Sequence, residues 1–174
     1  PLPNFYRFFL QWLVDDPTLG LLIKSKGKYW DIIKKDGLEC LVEQALKTGR
    51  LYVLDPAASP QDAGLLADFS VGTNSVSAIA VAAIQGARVL YLDYDKQDKQ
   101  DDQEDLKTYA TFHSLGPNRC VFYDPESLKK SVLEHINNPE SNPCLGDATP
   151  ILDQLDPFRD GKASQRIGEY VTWY

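Results

Sequence analysis

The residues best suited to do chemistry in this chain lie in the turn from Gly72 to Ser77, GTNSVS. The apolar run ADFSV precedes the turn and AIAVAAI follows it, which predicts a buried strand that passes directly into a helix. Thr73, Asn74, Ser75 and Ser77 carry hydroxyl and amide groups that can cap a helix N-terminus. Free N–H groups at such a terminus also attract anions. The turn therefore predicts either a phosphate or carboxylate site or simple helix capping.

Charged residues follow the other predicted strands. Lys24 and Lys26, in KSKGK, come after the apolar run LLI and could offset the charge of a phosphate, although a solvated basic loop is the alternative. Asp55 and Asp93 each end a predicted strand, where a ribose or metal contact could form. Asp is also common in turns for purely conformational reasons, so both interpretations stay open.

Histidine and cysteine form no recognisable catalytic or metal motif. His113 and His135 are isolated, and the three cysteines, Cys40, Cys120 and Cys144, lie far apart with no CxxC pair. The chain contains no GxGxxG, GxxxxGK[ST], GxSxG or HExxH pattern. We therefore assign no catalytic residue and expect neither a metal nor a cofactor.

Composition excludes several classes of function. The chain is 43% apolar and 25% charged, as in ordinary globular proteins, and its net charge is −7. This acidic balance argues against nucleic-acid binding, because nucleic-acid-binding surfaces are usually basic. No apolar run approaches the ~20 residues of a membrane span. We expect a cytoplasmic protein without a transmembrane segment, which leaves room for peripheral membrane association.

Short apolar strands alternate with amphipathic helices along the chain. The predicted strands are Leu21–Ile23, Leu51–Leu54, Ala67–Val71, Val89–Leu92 and Cys120–Tyr123. This alternation predicts an α/β fold, with a three-layer, Rossmann-like, doubly wound parallel sheet of about five to six strands. The length fits one domain over residues 1–174.

The two terminal helices carry apolar faces that could be partner surfaces or core. In the last helix, Ala163–Tyr174, we expect Ile167, Tyr170 and Val171 to face inward. The first helix, Asn4–Asp15, carries four aromatic residues on one face: Phe5, Phe8, Phe9 and Trp12. In a binding or assembly module, these four would be exposed as an interface.

Four segments together resemble the C-terminal, nucleotide-sugar-binding domain of GT-B-fold glycosyltransferases of bacterial surface-carbohydrate and capsule biosynthesis. They are LLIKSKG, YVLDP, ADFSVGTNSVSAIAVAAIQGARVLYLD and DPFRDGKASQRIGEYV. The central segment looks like the strand, Ser/Thr-rich turn and helix with which that fold holds a donor diphosphate. UDP-N-acetylglucosamine 2-epimerases share the fold and a similar turn, whereas the DGKAxxR ending looks more particular to the carbohydrate-synthesis group.

The resemblance implies a role for each candidate residue. The phosphates of a nucleotide-sugar donor would lie against Gly72, Thr73, Asn74, Ser75 and Ser77, and the lysines of KSKGK would offset their charge. Relatives often carry a ribose-binding Glu about five residues before the Gly that ends this helix. Here that position is Val81, so this route of ribose recognition is absent.

The same resemblance implies that the chain is the C-terminal lobe of a longer, two-domain protein. In this fold the acceptor site and usually the catalytic base belong to an N-terminal lobe, so we expect that lobe as a partner and no activity from this chain alone. Two alternatives stay open: a non-catalytic Rossmann-like binding or assembly module, and a sugar-nucleotide epimerase-like domain.

Overall fold

The computed structural model describes residues 2–25, 29–73, 77–94 and 111–172, which fold as α/β. The described helices are α1 Leu2–Asp15, α2 Tyr29–Lys35, α3 Glu39–Lys47, α4 Pro60–Leu65, α5 Ser77–Ile84, α6 Pro125–Asn137, α7 Leu152–Leu155 and α8 Ala163–Thr172. The described strands are β1 Leu21–Ile23, β2 Leu51–Val53, β3 Ser70–Thr73, β4 Val89–Leu92 and β5 Val121–Phe122. Two short 3-10 helices span Pro139–Ser141 and Thr149–Ile151. Within these residues, no helix combines the length and apolarity that a membrane crossing requires.

All pairings between the described strands are parallel, but they form two sheets. One sheet has two strands in the order β1-β2, and the other has three in the order β3-β4-β5. The prediction of one sheet of five to six strands is therefore wrong for the described residues, although the five predicted strand positions are confirmed to within a few residues. Side-chain packing links the sheets, because Leu21 of β1 packs against the cluster that contains Leu90 and Leu92 of β4.

The three-stranded sheet is covered on both faces, as a doubly wound layout requires. Val89 and Tyr91 of β4 pack in a cluster with Ala82 and Ala83 of α5. Leu90 and Leu92, which alternate with them, pack in a cluster with residues of α1 and α6. All four positions of β4 are buried. Burial on both faces explains why this strand has a continuous apolar sequence rather than an alternating one.

The two-stranded sheet has its own core. Leu10 and Leu13 of α1 pack with Ile23 of β1, Val42 of α3 and Leu51 of β2. The other face of α1 contributes Phe9 and Trp12 to the cluster around β4. Helix α1 therefore contacts both cores and holds the two sheets together.

The prediction of an exposed aromatic interface on α1 is wrong. Phe9 and Trp12 are 7% and 3% exposed, and Phe5 and Phe8 are partly buried against the same cluster. Their rings contact one another, with the Phe5 and Phe9 centroids 4.8 Å apart. The apolar face is needed to cover the sheet, because β4 and β5 present large apolar side chains on that side.

The prediction that the apolar face of the last helix points inward is also wrong. Ile167, Tyr170 and Val171 of α8 are each about two-thirds exposed, and none of the helix's described residues is buried. The apolar stripe of α8 is present as the sequence pattern indicates. Among the described residues, however, no element covers this stripe.

Candidate functional site

The junction of β3 and α5 lies at the carboxyl end of the three-stranded parallel sheet. Gly72 and Thr73 are strand residues rather than turn residues, because they pair with Tyr91 and Leu92 of β4. The predicted strand end at Val71 is therefore two residues early. Both Gly72 and Thr73 are buried, so neither lies on an open surface.

The rest of the predicted turn is only partly described. Asn74, Ser75 and, in the β1 loop, Lys26 lie outside the described residues. Ser77 is described as the first residue of α5. Helix α5 therefore begins four residues after Thr73 ends β3, which keeps its N-terminus close to the sheet edge. N–H groups of the first turn of a helix have no partner within the helix and favour an anion.

Gly72 is required by the packing of α5 on β3. A β-carbon at this position would approach Cγ1 of Ile79 to 2.6 Å, closer than side-chain carbons come. Ile79 belongs to the buried cluster on this face of the sheet. Gly72 thus brings α5 close to the strand, and its contribution to a ligand site is to place the helix N-terminus.

Lys24 lies directly after β1, as predicted, and contacts the loop after β2. Its Nζ donates hydrogen bonds to the carbonyl oxygens of Pro56, at 2.8 Å, and Ser25, at 3.1 Å. These contacts hold the ammonium group at the carboxyl ends of β1 and β2. Lys24 thus lies at the end of the two-stranded sheet, whereas Gly72 belongs to the three-stranded sheet. The described contacts of Lys24 are structural.

The two aspartates at strand ends differ. Asp55 accepts a hydrogen bond from the amide of Ala57 at 2.7 Å and is exposed, which is the turn chemistry expected of Asp. Asp93 follows β4 and is only 2% exposed. Its amide donates to the carbonyl of Phe122 at 2.7 Å, which extends the pairing of β4 and β5 by one residue. Asp93 thus places a buried carboxyl group at the carboxyl end of the sheet.

A histidine and a tyrosine meet beside this acid. Nδ1 of His113 and Oη of Tyr123 are 3.1 Å apart and share a hydrogen bond. Burial lowers the pKa of His113 below its ordinary value, and the charge of Asp93 opposes this shift. The imidazole is therefore mainly neutral at neutral pH. Tyr123 follows β5 directly and is 41% exposed, so its side chain reaches the surface.

The DGKAxxR segment has a local structural role. The guanidinium of Arg166 donates to both carboxylate oxygens of Asp160, at 2.8 and 3.0 Å, and its Cζ lies 3.9 Å from the centre of the Phe158 ring. Asp160 also accepts from the amide of Lys162. These hydrogen bonds order the segment just before α8, and they hold the pKa of Asp160 below its ordinary value.

His135 also has a structural environment. Its side chain is buried, Nδ1 lies 2.9 Å from the carbonyl oxygen of Asn142, and its ring contacts Phe69 edge-on. The described contacts of His135 are therefore packing and hydrogen-bond contacts within the fold. Within the described ranges, no three side chains of His, Cys, Asp or Glu come together as ligands of a metal would.

Sequence reasoning missed the pair of His113 and Tyr123. The two residues are ten positions apart in the sequence and belong to no motif. One signal was available, because Tyr123 is the last residue of a predicted strand and Asp93 follows another, and the carboxyl ends of neighbouring parallel strands meet at one edge. His113 could not be placed there without the fold.

Comparisons of the chain with models of protein families, with curated proteins and with solved structures found no match.

Proposed function

We propose that the chain binds a nucleotide-sugar donor at the junction of β3 and α5, as the donor-binding lobe of a glycosyltransferase-like protein of surface polysaccharide synthesis. The observation that carries this proposal is the passage of a buried parallel strand into a helix N-terminus at the carboxyl end of the sheet. Ligands of open α/β sheets bind at that edge. The proposal also draws on the sequence resemblance to such lobes.

The N-terminus of α5 would hold the donor diphosphate. Backbone N–H groups fixed in advance by the fold can stabilise the charge that develops on a leaving diphosphate. Asn74, Ser75 and Ser77 would add side-chain donors, and Lys24 or Lys26 would supply positive charge. The acceptor site and the catalytic base would belong to an N-terminal lobe, so the chain by itself would bind the donor without transferring the sugar.

Val81 sets a limit on how the donor would be recognised. It lies in α5 and is 39% exposed, at the position where an acid would contact ribose. Valine cannot accept hydrogen bonds from ribose hydroxyls. We therefore expect the diphosphate to supply most of the affinity, and nucleosides without phosphate to bind poorly.

The proposal is tested with a panel of UDP-, GDP-, CMP- and CDP-linked sugars and the corresponding free nucleotides. Calorimetry and thermal unfolding should identify one nucleotide that binds and raises the melting temperature, since a ligand of the folded state stabilises it. The matching nucleoside should bind far more weakly. A folded chain that binds no member of the panel would contradict the proposal.

Two variants test whether the nucleotide binds at the N-terminus of α5. Ser75→Ala combined with Ser77→Ala should weaken nucleotide binding about tenfold or more, because two hydrogen bonds to a charged phosphate are lost. Ser164→Ala, in the exposed first turn of α8, is the matched control and should bind as the unchanged chain does. Equal affinity in the double variant would place the ligand elsewhere.

A non-catalytic assembly module is the second candidate, favoured by the exposed apolar side chains of α8. Such a module would bind no nucleotide, whereas a donor lobe would. The epimerase-like alternative would require a carboxylate acid and a carboxylate base in one cleft, and no described pair of carboxylates suggests these roles.

A further inference from the structure

An open groove lies on the surface between α1 and α3 and has a volume of about 620 Å³. Asn4 and Gln11 stand at the two ends of its α1 wall, and Cys40 and Gln44 line its α3 wall. No described residue of β3 or α5 lines the groove, so it is distinct from the proposed nucleotide site. Helix rises about 10 Å between positions 4 and 11, which matches about three residues of extended chain.

The groove has apolar surface that the fold leaves open. Phe8 of α1 and Leu41 of α3 both line it. Phe8 packs against the cluster around β4, and Leu41 packs against the core of the two-stranded sheet, but each is only partly buried. Covering the remaining apolar surface would favour association.

The carboxamides that line the groove carry hydrogen-bond groups that the fold does not use. Asn4 and Gln44 are exposed, and their side chains make no hydrogen bond within the described part of the chain. Gln11 donates from Nε2 to Asp15 at 2.8 Å, and its carbonyl oxygen accepts from no described residue. A carboxamide offers a donor and an acceptor together, as a peptide group does. These three side chains can therefore pair with the backbone of an extended peptide.

Arg7 is the only charged side chain among the described residues that line the groove. It is exposed, and its one described hydrogen bond, to the carbonyl oxygen of Asp36, is long at 3.5 Å. Glu39 and Glu43 of α3 are exposed but do not line the groove. The guanidinium is thus open to a carboxylate, which it can bind through two parallel hydrogen bonds. Because salt screens charges more than about 8–10 Å apart, distant acids oppose such binding little.

We propose that the α1–α3 groove is a docking site for an extended, acidic segment of a partner protein. A carboxylate of the segment binds Arg7, its backbone pairs with the carboxamides, and an apolar side chain covers Phe8 and Leu41. The open shape favours this occupant over a small molecule, because small-molecule sites enclose most of the surface of their ligand. This inference is independent of the proposed nucleotide site.

Three capped peptides that differ only in charge are the probes. They are acetyl-Ser-Glu-Leu-Glu-Ser-amide and the same peptide with Gln or with Lys in place of both Glu residues. In amide NMR titrations of the chain, the Glu peptide should give its largest shifts within residues 4–11 and 37–44. It should bind about fivefold more tightly than the Gln peptide, as expected for an exposed ion pair, and the Lys peptide should bind most weakly. No binding of the Glu peptide, equal affinity for the Glu and Gln peptides, or largest shifts outside these ranges would overturn the proposal.

Two further probes separate a peptide site from a site for small anions. Acetyl-Glu-amide carries the carboxylate without an extended chain and should bind far more weakly than the Glu peptide, since it cannot reach the carboxamides along the groove. Inorganic pyrophosphate should leave the bound Glu peptide in place. Affinity of acetyl-Glu-amide equal to that of the peptide, or displacement of the peptide by equimolar pyrophosphate, would overturn the assignment of the groove to a peptide.

Cys40 reports occupancy of the groove in the unchanged chain, with Cys144 as an internal control. Both thiols are exposed, but of the two only Cys40 lines the groove. A saturating concentration of the Glu peptide should slow the alkylation of Cys40 by iodoacetamide severalfold and leave the rate at Cys144 unchanged. An unchanged rate at Cys40 would contradict docking against α3.

A substitution of Arg7 tests the ion pair. Arg7→Met should weaken binding of the Glu peptide about fivefold and leave binding of the Gln peptide unchanged, a difference that a general loss of structure would not produce. Lys130→Met is the matched control, because it removes a largely exposed cation from α6 and should change neither affinity. Unchanged affinity of Arg7→Met for the Glu peptide, or an equal loss for both peptides, would refute the proposal.

Discussion

Gly72 sets the distance between β3 and α5, and so the position of the helix N-terminus. Its buried Cα lies under Ile79, where even a methyl group would have no room. The resemblance seen in the sequence implies that Gly72 lies against a donor phosphate. In the structure, the packing of Ile79 requires glycine at this position whether or not a ligand binds.

Gly72→Ala should destabilise the fold by about 1–3 kcal/mol, because an added methyl group overpacks the contact with Ile79. Urea unfolding measures the change. Gly168→Ala in α8 is the matched control, since a β-carbon there meets nothing within 4 Å and alanine favours the helix. Equal stability of Gly72→Ala and the unchanged chain would show that this contact does not limit the packing.

Asp124 caps α6 and makes the stability of the fold depend on pH. Its carboxylate accepts hydrogen bonds from the hydroxyl and the amide of Ser127, both at 2.7 Å, which hold the pKa of Asp124 below its ordinary value of 3.8. A carboxyl whose pKa is lower in the folded state stabilises the fold above its unfolded pKa. This contribution is lost as the pH falls through the folded pKa.

Asp124→Ala should therefore lower the free energy of unfolding by about 1 kcal/mol at neutral pH, the usual effect of losing such a cap. The difference from the unchanged chain should shrink at about pH 3 and below, as the carboxyl becomes protonated. Urea unfolding at both pH values measures it. Asp68→Ala is the control, since Asp68 lies at an exposed loop position and caps no described helix, and it should leave the free energy of unfolding nearly unchanged at neutral pH. A difference for Asp124→Ala that is constant with pH would refute the electrostatic part of the argument.

Local sequence signals predict some helices and their ends correctly and miss others. The run Asp124-Pro125-Glu126 predicts the start of α6, and Gly49 predicts the end of α3, because caps depend on adjacent residues. The structure confirms both, with Asp124 as the N-cap of α6 and Gly49 at a φ of +69° just after α3. Helix α2 was not predicted, since its seven residues follow a basic loop and are too few for a clear period. Its place is fixed by Ile33, which packs in the core around β1 and β2.

Arg50 connects three elements that the sequence pattern treats separately. It lies just before β2, and its guanidinium donates to the carbonyl oxygens of Leu13, at 3.0 Å, Asp16, at 2.6 Å, and Leu19. These oxygens belong to the end of α1 and to the segment before β1. Arg50 therefore holds the end of α1 against the two-stranded sheet.

Arg50→Met should lower the free energy of unfolding by about 1–3 kcal/mol, because carbonyl groups that accepted charged hydrogen bonds lose their partner. Arg7→Met is the control, since Arg7 is exposed and its one described hydrogen bond is long, at 3.5 Å. Chemical unfolding of both variants gives the comparison. An equally small effect for the two would mean that the Arg50 contacts are replaced by water at no cost.

At the scale of the whole molecule, the α/β class, the parallel pairing and the helices on both faces of the larger sheet follow from the sequence. The split into two sheets does not follow from the sequence. It depends on whether backbone groups of the pair β1-β2 meet those of a strand in the larger sheet, and no side-chain pattern records this. Similarly, the apolar stripes of α1 and α8 look alike in sequence, and only the packing shows that Phe9 is buried and Ile167 exposed. The contact of His113 with Tyr123 at the end of β5 depends on the fold and could not be predicted.

The three cysteines report on the integrity of this fold. Cys40 and Cys144 are exposed, whereas Cys120 is buried in the cluster beside Tyr91, and burial raises its pKa to about 12. Thiolates, not thiols, react with alkylating reagents. Mass spectrometry after brief iodoacetamide treatment should find modification at the first two in the native protein, and at all three in denaturant. Rapid modification of Cys120 in the native protein would contradict the packing of β5.

The central claim is that a phosphate-bearing ligand binds where β3 passes into α5. The most direct test is the amide NMR spectrum of the labelled chain with and without the nucleotide that binds most tightly in the panel. We predict the largest shifts at Thr73 and in the first turn of α5. The largest shifts elsewhere, for example in the surface groove between α1 and α3 that is lined by Arg7 and Cys40, would contradict the account.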